Sequence, residues 1–185
     1  MHVELDGESW RTIPDGAVVR SGLRVGLELD RPLARTLSRE LRRARALDAA
    51  TRALRSRPLS ERRLRERLRG RGIPATAEGA AVTTLAEAGY VDDGRLARGR
   101  AVALAERGWG DAAIAARLAG EGLGAADVEA ALAELEPERA RAERLASACE
   151  SPRKTWSLLA RRGFDAETIE ALVGTLDAEV PDGLG

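Results

Sequence analysis

The sequence predicts a mainly α fold: three tandem three-helix repeats in an elongated, curved array, preceded by a small N-terminal lobe containing a β-hairpin and by a long helix. Three observations predict it. An apolar frame recurs around Gly72, Gly122 and Gly163. Helical periodicity begins at Asp30 and persists through the rest of the chain. Residues 1–30 alternate instead, with Val3, Leu5, Trp10 and Thr12 on either side of Asp6-Gly7.

The elements follow in order. Asp-Gly between two alternating segments is the signature of a tight hairpin. Pro14, Gly16, Gly22 and Gly26 punctuate the rest of the lobe, and Val18-Val19 and Val25 to Leu29 suit a further short strand or a turn of helix. Asp30 can cap a helix whose first turn holds Pro32, and Leu33, Leu37, Leu41 and Ala44 follow at helical spacing. One helix over residues 31–56 results. Around the three glycines, Leu68, Leu118 and Leu159 stand four residues before. Ile73, Leu123 and Phe164 stand directly after, Val82, Leu132 and Val173 ten after, and Leu85, Leu135 and Leu176 thirteen after. A glycine closes a helix in the left-handed conformation, the next apolar residue packs back, and a second amphipathic helix follows. Val128, Ala131, Leu132 and Leu135 show that second helix, as do Ile169, Leu172, Val173 and Leu176. Ser60, Asp111 and Ser151 precede the first helix of each unit, with Pro152 in a first turn. Further helical stretches run from Asp93 to Arg107 and from about Pro137 to Ala148, giving roughly three helices per repeat. The organisation is a lobe over 1–30, a connecting helix over 31–56, repeats over 57–93, 94–136 and 137–179, and a flexible tail over 180–185.

Composition excludes several kinds of chemistry. With 185 residues, 44% of them hydrophobic and 32% charged, the chain can bury a core. A single cysteine, Cys149, rules out an internal disulfide or a Cys-rich zinc site and reads as a small buried residue. The single histidine, His2, is beside the initiator, so a His-based triad or a two-His metal site has no candidate in the ordered core. No Walker A or dinucleotide glycine pattern occurs, so no cofactor is expected. No apolar run spans a membrane and residues 1–10 are not a signal peptide, which suits a cytoplasmic, monomeric, non-enzymatic protein.

The formal net charge is zero, from 30 basic and 30 acidic residues, but it is unevenly laid out. The segments carry −3 over 1–30, +11 over 31–72, −6 over 73–152, +4 over 153–164 and −6 over 165–185. Arg31 to Gly72 holds fifteen arginines against four acids. On the helix after Ser60, Leu64 and Leu68 mark the buried side. Arg62, Arg65 and Arg69 then form an outward stripe flanked by Arg63 and Arg67. Such a stripe suits phosphates or an acidic protein groove equally; the plain alternative is a solvated helix face. Arg161 and Arg162 end another helix, where cations oppose the dipole favourably. Helix, Gly turn, helix also resembles a DNA-reading outline. Yet residues 75–88 offer no Arg, Lys, Asn or Gln to reach base edges, so sequence readout is not expected. Asp92 and Asp93 point apart with no third ligand, and Asp93 reads as a helix cap rather than a cation ligand. Trp109, within Gly108-Trp109-Gly110, either anchors the second repeat or awaits a partner.

Arg57-Pro58-Leu59-Ser60, Leu64, Leu68, Gly72-Ile73 and Gly89-Tyr90-Val91-Asp92-Asp93-Gly94-Arg95-Leu96-Ala97 together resemble the RecX family of recombination regulators. Gly108-Trp109-Gly110 before Ile114 and Leu118, then Gly122-Leu123, then Leu159 to Phe164, continue the resemblance, which runs from about Ala53 to Leu176. Leu96 stands where the family usually has Phe, and Gly94 where Glu is common; neither is a catalytic position, since the family has none. The resemblance implies three tandem three-helix repeats in a crescent that lodges in the groove of the RecA filament on DNA. It implies restraint of ATP hydrolysis, strand exchange and LexA co-protease activity, in recombination, repair and the SOS response. The expected partner is therefore the RecA filament, with single- or double-stranded DNA as a second through the basic stretch. Arg62, Arg63, Arg65, Arg67, Arg69, Arg161 and Arg162 are the candidate contacts. The alternative is a stand-alone, sequence-independent DNA-binding helical module.

Overall fold

The computed structural model describes residues 1–149 and 151–178, with side chains through residue 174. The chain is mainly helical, with a two-stranded hairpin at its N-terminus. It divides into two compact units, Met1–Val91 and Asp92–Gly185.

In the first unit, β1 (His2–Leu5) pairs antiparallel with β2 (Glu8–Thr12), with Leu5 opposite Glu8. Asp6 and Gly7 both have positive φ, 52° and 83°, which a two-residue hairpin turn of this kind demands. Val18-Val19 belongs to a helix, α1 (Asp15–Ser21), and Val25 to Leu29 form no strand. Pro14, whose φ is already −58°, opens α1, and Gly22 at φ 73° stops it before a strand length is reached. Ile13, Ala17, Val18 and Leu37 form the lobe's core, with Val3, Trp10, Leu23, Leu29 and Leu41 against it.

Helix α2 spans Arg31–Ser56, with the Asp30 carboxylate accepting from the Leu33 amide at 2.8 Å. It stops because Arg57 precedes Pro58 and is held extended, at φ −169° and ψ 153°. This helix serves two cores from opposite faces. Leu37 and Leu41 pack into the lobe; Ala49, Ala50 and Ala53 pack beneath α3 (Glu61–Arg69) and α4 (Ala75–Glu87). The C-terminal half of the expected connector is thus the first helix of the first repeat. Its alanines let the backbones approach closely. Glu40, buried on the same helix, is tied to α1 by Arg20 Nε at 2.7 Å.

The second unit holds α5 (Asp93–Glu106), α6 (Asp111–Gly120) and α7 (Ala125–Ala133), then α8 (Glu138–Ala146), α9 (Pro152–Arg162) and α10 (Ala166–Ala178). Each trio closes its own core. One contains Ala97, Ala101, Ile114, Leu118 and Val128; the other contains Ala142, Leu159, Phe164, Ile169 and Leu172.

The glycine frame has one geometry in all three repeats. Gly72, Gly122 and Gly163 have φ of 72°, 89° and 73°. The amides of Ile73, Leu123 and Phe164 each donate to the carbonyl five residues back, of Leu68, Leu118 and Leu159, at 3.2 Å every time. Those leucines are completely buried. Four residues earlier stand Leu64, Ile114 and Thr155, also completely buried. Thr155 fits an apolar slot because its hydroxyl donates to the Ser151 carbonyl at 3.1 Å. Leu176, the last member of the frame, lies outside the described side chains, and the tail over 180–185 lies outside the described residues.

Two caps differ from expectation. Asp92, not Asp93, caps α5: its backbone is extended and its carboxylate accepts from the Arg95 amide at 2.8 Å. Asp93 is the first helical residue, where its charge still faces the positive end of the dipole. For α6 the cap position is Gly110, and Asp111 is already helical. Ser60 and Ser151 cap as expected.

Gly110 shows why the repeats 2 and 3 meet where they do. Its φ of −80° suits any residue, but a Cβ there would lie 2.3 Å from the Gly163 carbonyl oxygen and 2.4 Å from the Phe164 nitrogen. Its own amide donates to the Arg162 carbonyl at 2.9 Å. Two helix breaks therefore touch backbone to backbone. Gly110→Ala should lower the urea midpoint of unfolding. Gly99→Ala should raise stability by up to about 1 kcal/mol, because Gly99 is helical and faces open space. Equal effects from the two variants would refute the contact. Replacing Leu118 by Ala should cost about 2–5 kcal/mol in the same titration, and a cost near zero would refute the register.

Candidate functional site

The candidate site is a set of arginines, so the decisive question is which of them are already held by carboxylates of their own chain. Helix α3 turns Leu64 and Leu68 inward, as its spacing predicts. At the position where the second and third repeats carry Val128 and Ile169, six residues after the frame glycine, the first repeat carries Glu78. Glu78 is 1% exposed. Arg69 grips it with two hydrogen bonds, Nε to Oε2 at 2.9 Å and Nη2 to Oε1 at 3.0 Å. Arg65 stands 3.7 Å from the same carboxylate and also donates to Glu61 at 2.7 Å and 3.0 Å. The hydrogen bond with Glu78, then its charge, hold the Arg69 guanidinium above its ordinary pKa.

Two members of the expected outward stripe are therefore ion-paired within the chain, although the Arg69 side chain remains 62% exposed. They compensate a carboxylate that replaces a core aliphatic side chain, and a buried charge without partners is strongly disfavoured. Arg63 pairs with Glu66 at 2.9 Å, and Arg62 approaches Glu66 at 3.8 Å; both remain exposed. Arg67 is exposed and in no ion pair among the described residues.

The other predicted pair divides in the same way. Arg161 is exposed and donates to the Ser157 carbonyl of its own helix at 3.1 Å. Arg162 turns the other way. It donates to the Arg107 carbonyl, and its guanidinium lies 5.2 Å from the Trp109 ring centroid. Arg117 covers that ring too, at 3.8 Å. Trp109 is thus an anchor, partly buried on the second repeat's core and flanked by a cation from each of two repeats.

Sequence reasoning missed three features. Arg141, inside the α8 sequence, is 4% exposed and fans over the Trp109 carbonyl at 2.9 Å, the Glu136 carbonyl at 3.0 Å and the Asp111 carboxylate. Nothing in its spacing separates it from a surface arginine. Glu78 was hidden in the same sense, although the frame offers a signal: a charged residue in a register otherwise filled by Val and Ile. Third, Tyr90 and Trp156 are exposed at 69% and 53%. Trp156 follows directly on buried Thr155, so its neighbouring face is readable from spacing.

The basic half of α2 contributes the remaining cations. Arg31, Arg35, Arg42, Arg45 and Arg55 take no part in an ion pair among the described residues, and all five are exposed. The arrangement offers guanidinium donors for anionic partners. Among the described residues no three His, Cys, Asp or Glu side chains converge to hold a metal, and no helix is long and apolar enough to cross a membrane.

No protein-family model matches the chain. Individual relatives do. A protein of Stenotrophomonas maltophilia (strain K279a) named Regulatory protein RecX is 38% identical over 120 residues, 60% of this chain and 74% of the relative. A protein of the same name from Xanthomonas axonopodis pv. citri (strain 306) is 36% identical over 122 residues, 60% of this chain and 75% of the relative. A crystal structure of regulatory protein RecX superposes with a TM-score of 0.80 at 18% identity, covering 94% of both chains. The structure of RecX from Lactobacillus salivarius gives 0.64 at 19% identity, covering 74% of this chain and 97% of that one. Sequence identity over three quarters of a relative, on the same helical fold, places this chain in the RecX family of regulatory proteins.

Proposed function

We propose that this protein binds the RecA recombinase filament on DNA and restrains its ATPase, strand-exchange and co-protease activities, as a cytoplasmic monomer with no active site of its own. The observation that carries the reading is the match to proteins named Regulatory protein RecX over 60% of the chain and 74% of the relative. The residue inventory supports it: the exposed arginines offer donors to anionic partners.

Within that reading, Arg62, Arg63, Arg67 and Arg161 are the contacts to the filament, while Arg65, Arg69 and Arg162 hold the repeats in shape. The protein added to RecA on single-stranded DNA should lower ATP turnover at or below equimolar ratio. Unchanged turnover at saturating protein would overturn the reading. Reversing charge at Arg62, Arg63 and Arg67 together should weaken inhibition with helicity and Tm unchanged. Reversing Arg69 should lower Tm, since Glu78 loses its bidentate partner. A Tm unaffected by Arg69→Glu would show that the pair is not structural.

A second reading is supported by the unpaired cations of α2: direct, sequence-independent DNA contact without the recombinase. It predicts binding that weakens steeply with salt. Salt-insensitive or absent binding would remove it.

A further inference from the structure

A cleft of about 700 Å³ opens between β2 and the middle of α2, wholly within the first unit. Trp10, Arg11 and Thr12 line one side; Ser38, Arg42 and Arg45 line the other. Its cations are not consumed internally. None of Arg11, Arg42 and Arg45 takes part in an ion pair among the described residues, and all three are exposed. Arg20 and Arg39, nearby in sequence, are engaged with Glu40 instead. The Arg11 guanidinium lies 4.3 Å from the Trp10 ring centroid, so a flat stacked pair forms one end of the cleft. Trp10 is fixed by packing against the lobe's core.

We propose that this cleft binds single-stranded nucleic acid, with phosphates on Arg42 and Arg45 and an unstacked base continuing the stack on Arg11 and Trp10. The proposal rests on the second reading above and names its site. Three guanidiniums and two hydroxyls in one concavity suit phosphate oxygens. The stacked pair distinguishes a nucleic acid from an acidic peptide, because bases stack on aromatic rings and on arginine planes whereas carboxylates do not. It also selects a single strand, since a base within a duplex has both faces occupied. Arg42 and Arg45 belong to the segment 31–72, net +11, whereas Arg11 stands in a lobe of net −3.

The test uses the full chain and labelled oligothymidylate, without recombinase, read by fluorescence anisotropy. Two phosphate contacts predict that affinity falls roughly sevenfold between about 50 and about 200 mM salt, and the Arg42→Ala/Arg45→Ala double variant should lose most of that dependence. The double variant should also bind at least about tenfold more weakly at low salt. Both positions are exposed, so folding is not at stake. Oligothymidylate should quench tryptophan fluorescence in the wild type, and Trp10→Phe, which keeps the ring in the core, should abolish the quenching. Polyglutamate of equal charge should not compete, and duplex DNA should bind more weakly. Unchanged affinity and salt slope in the double variant, alongside clear DNA binding, would overturn this site and leave the second reading standing. Absence of any DNA binding would overturn both. Equal competition by polyglutamate, or quenching that survives Trp10→Phe, would overturn the nucleic-acid assignment.

Discussion

Everything in the repeats depends on one helix stop. A left-handed glycine lets the following amide reach back to a buried leucine's carbonyl, and the same 3.2 Å bond recurs from Ile73, Leu123 and Phe164. That bond ends one helix, reverses the chain and places the next apolar residue over the core. An L residue at the glycine would be strained, so the stop is written in the sequence by residue type alone. Each stop yields two packed helices, and a third helix rich in buried alanine closes the trio. The third stop has a further duty. Gly110 meets the Gly163 backbone and Gly163 meets Ala113 so closely that neither glycine has room for a side chain, and Arg141, Arg162 and Trp109 surround the contact.

The second constraint is electrostatic. A chain with fifteen arginines between Arg31 and Gly72 has to place them, and the structure uses them for two purposes. Some replace apolar packing: Arg69 and Arg65 permit a carboxylate at Glu78, as Arg20 of α1, outside that segment, permits one at Glu40. Breaking such a pair leaves a buried charge, so these arginines are fixed by the fold. Others, such as Arg67, Arg42 and Arg45, take part in no ion pair among the described residues and are exposed to anions outside the chain. The surface proposed to meet a partner is defined as much by this subtraction as by the clustering itself.

Much of the fold was legible in the sequence. The frame located the stops, Asp6-Gly7 located the hairpin, and Asp30 with Pro32 located the start of α2. The double use of α2 was not legible, because its two apolar stripes lie on opposite faces and blur into one broad pattern. Asp92 was passed over for Asp93 because adjacent carboxylates are equally good caps on composition, and only the backbone angle distinguishes them. The site was less legible than the fold. An arginine bound to a buried glutamate nine residues away has the same local spacing as a solvated one. The glutamate itself was the clue, since Glu78 occupies the register of Val128 and Ile169.

The central claim is that the arginines divide into those that build the repeats and those that meet the partner. Arginine footprinting by mass spectrometry, on the protein free and bound to the recombinase filament, tests it most directly. Arg65, Arg69 and Arg162 should react equally in both states, while Arg63, Arg67 and Arg161 should become protected when bound. Protection confined to Arg65 and Arg69, or no change at Arg67 on a filament that carries the protein, would contradict the account.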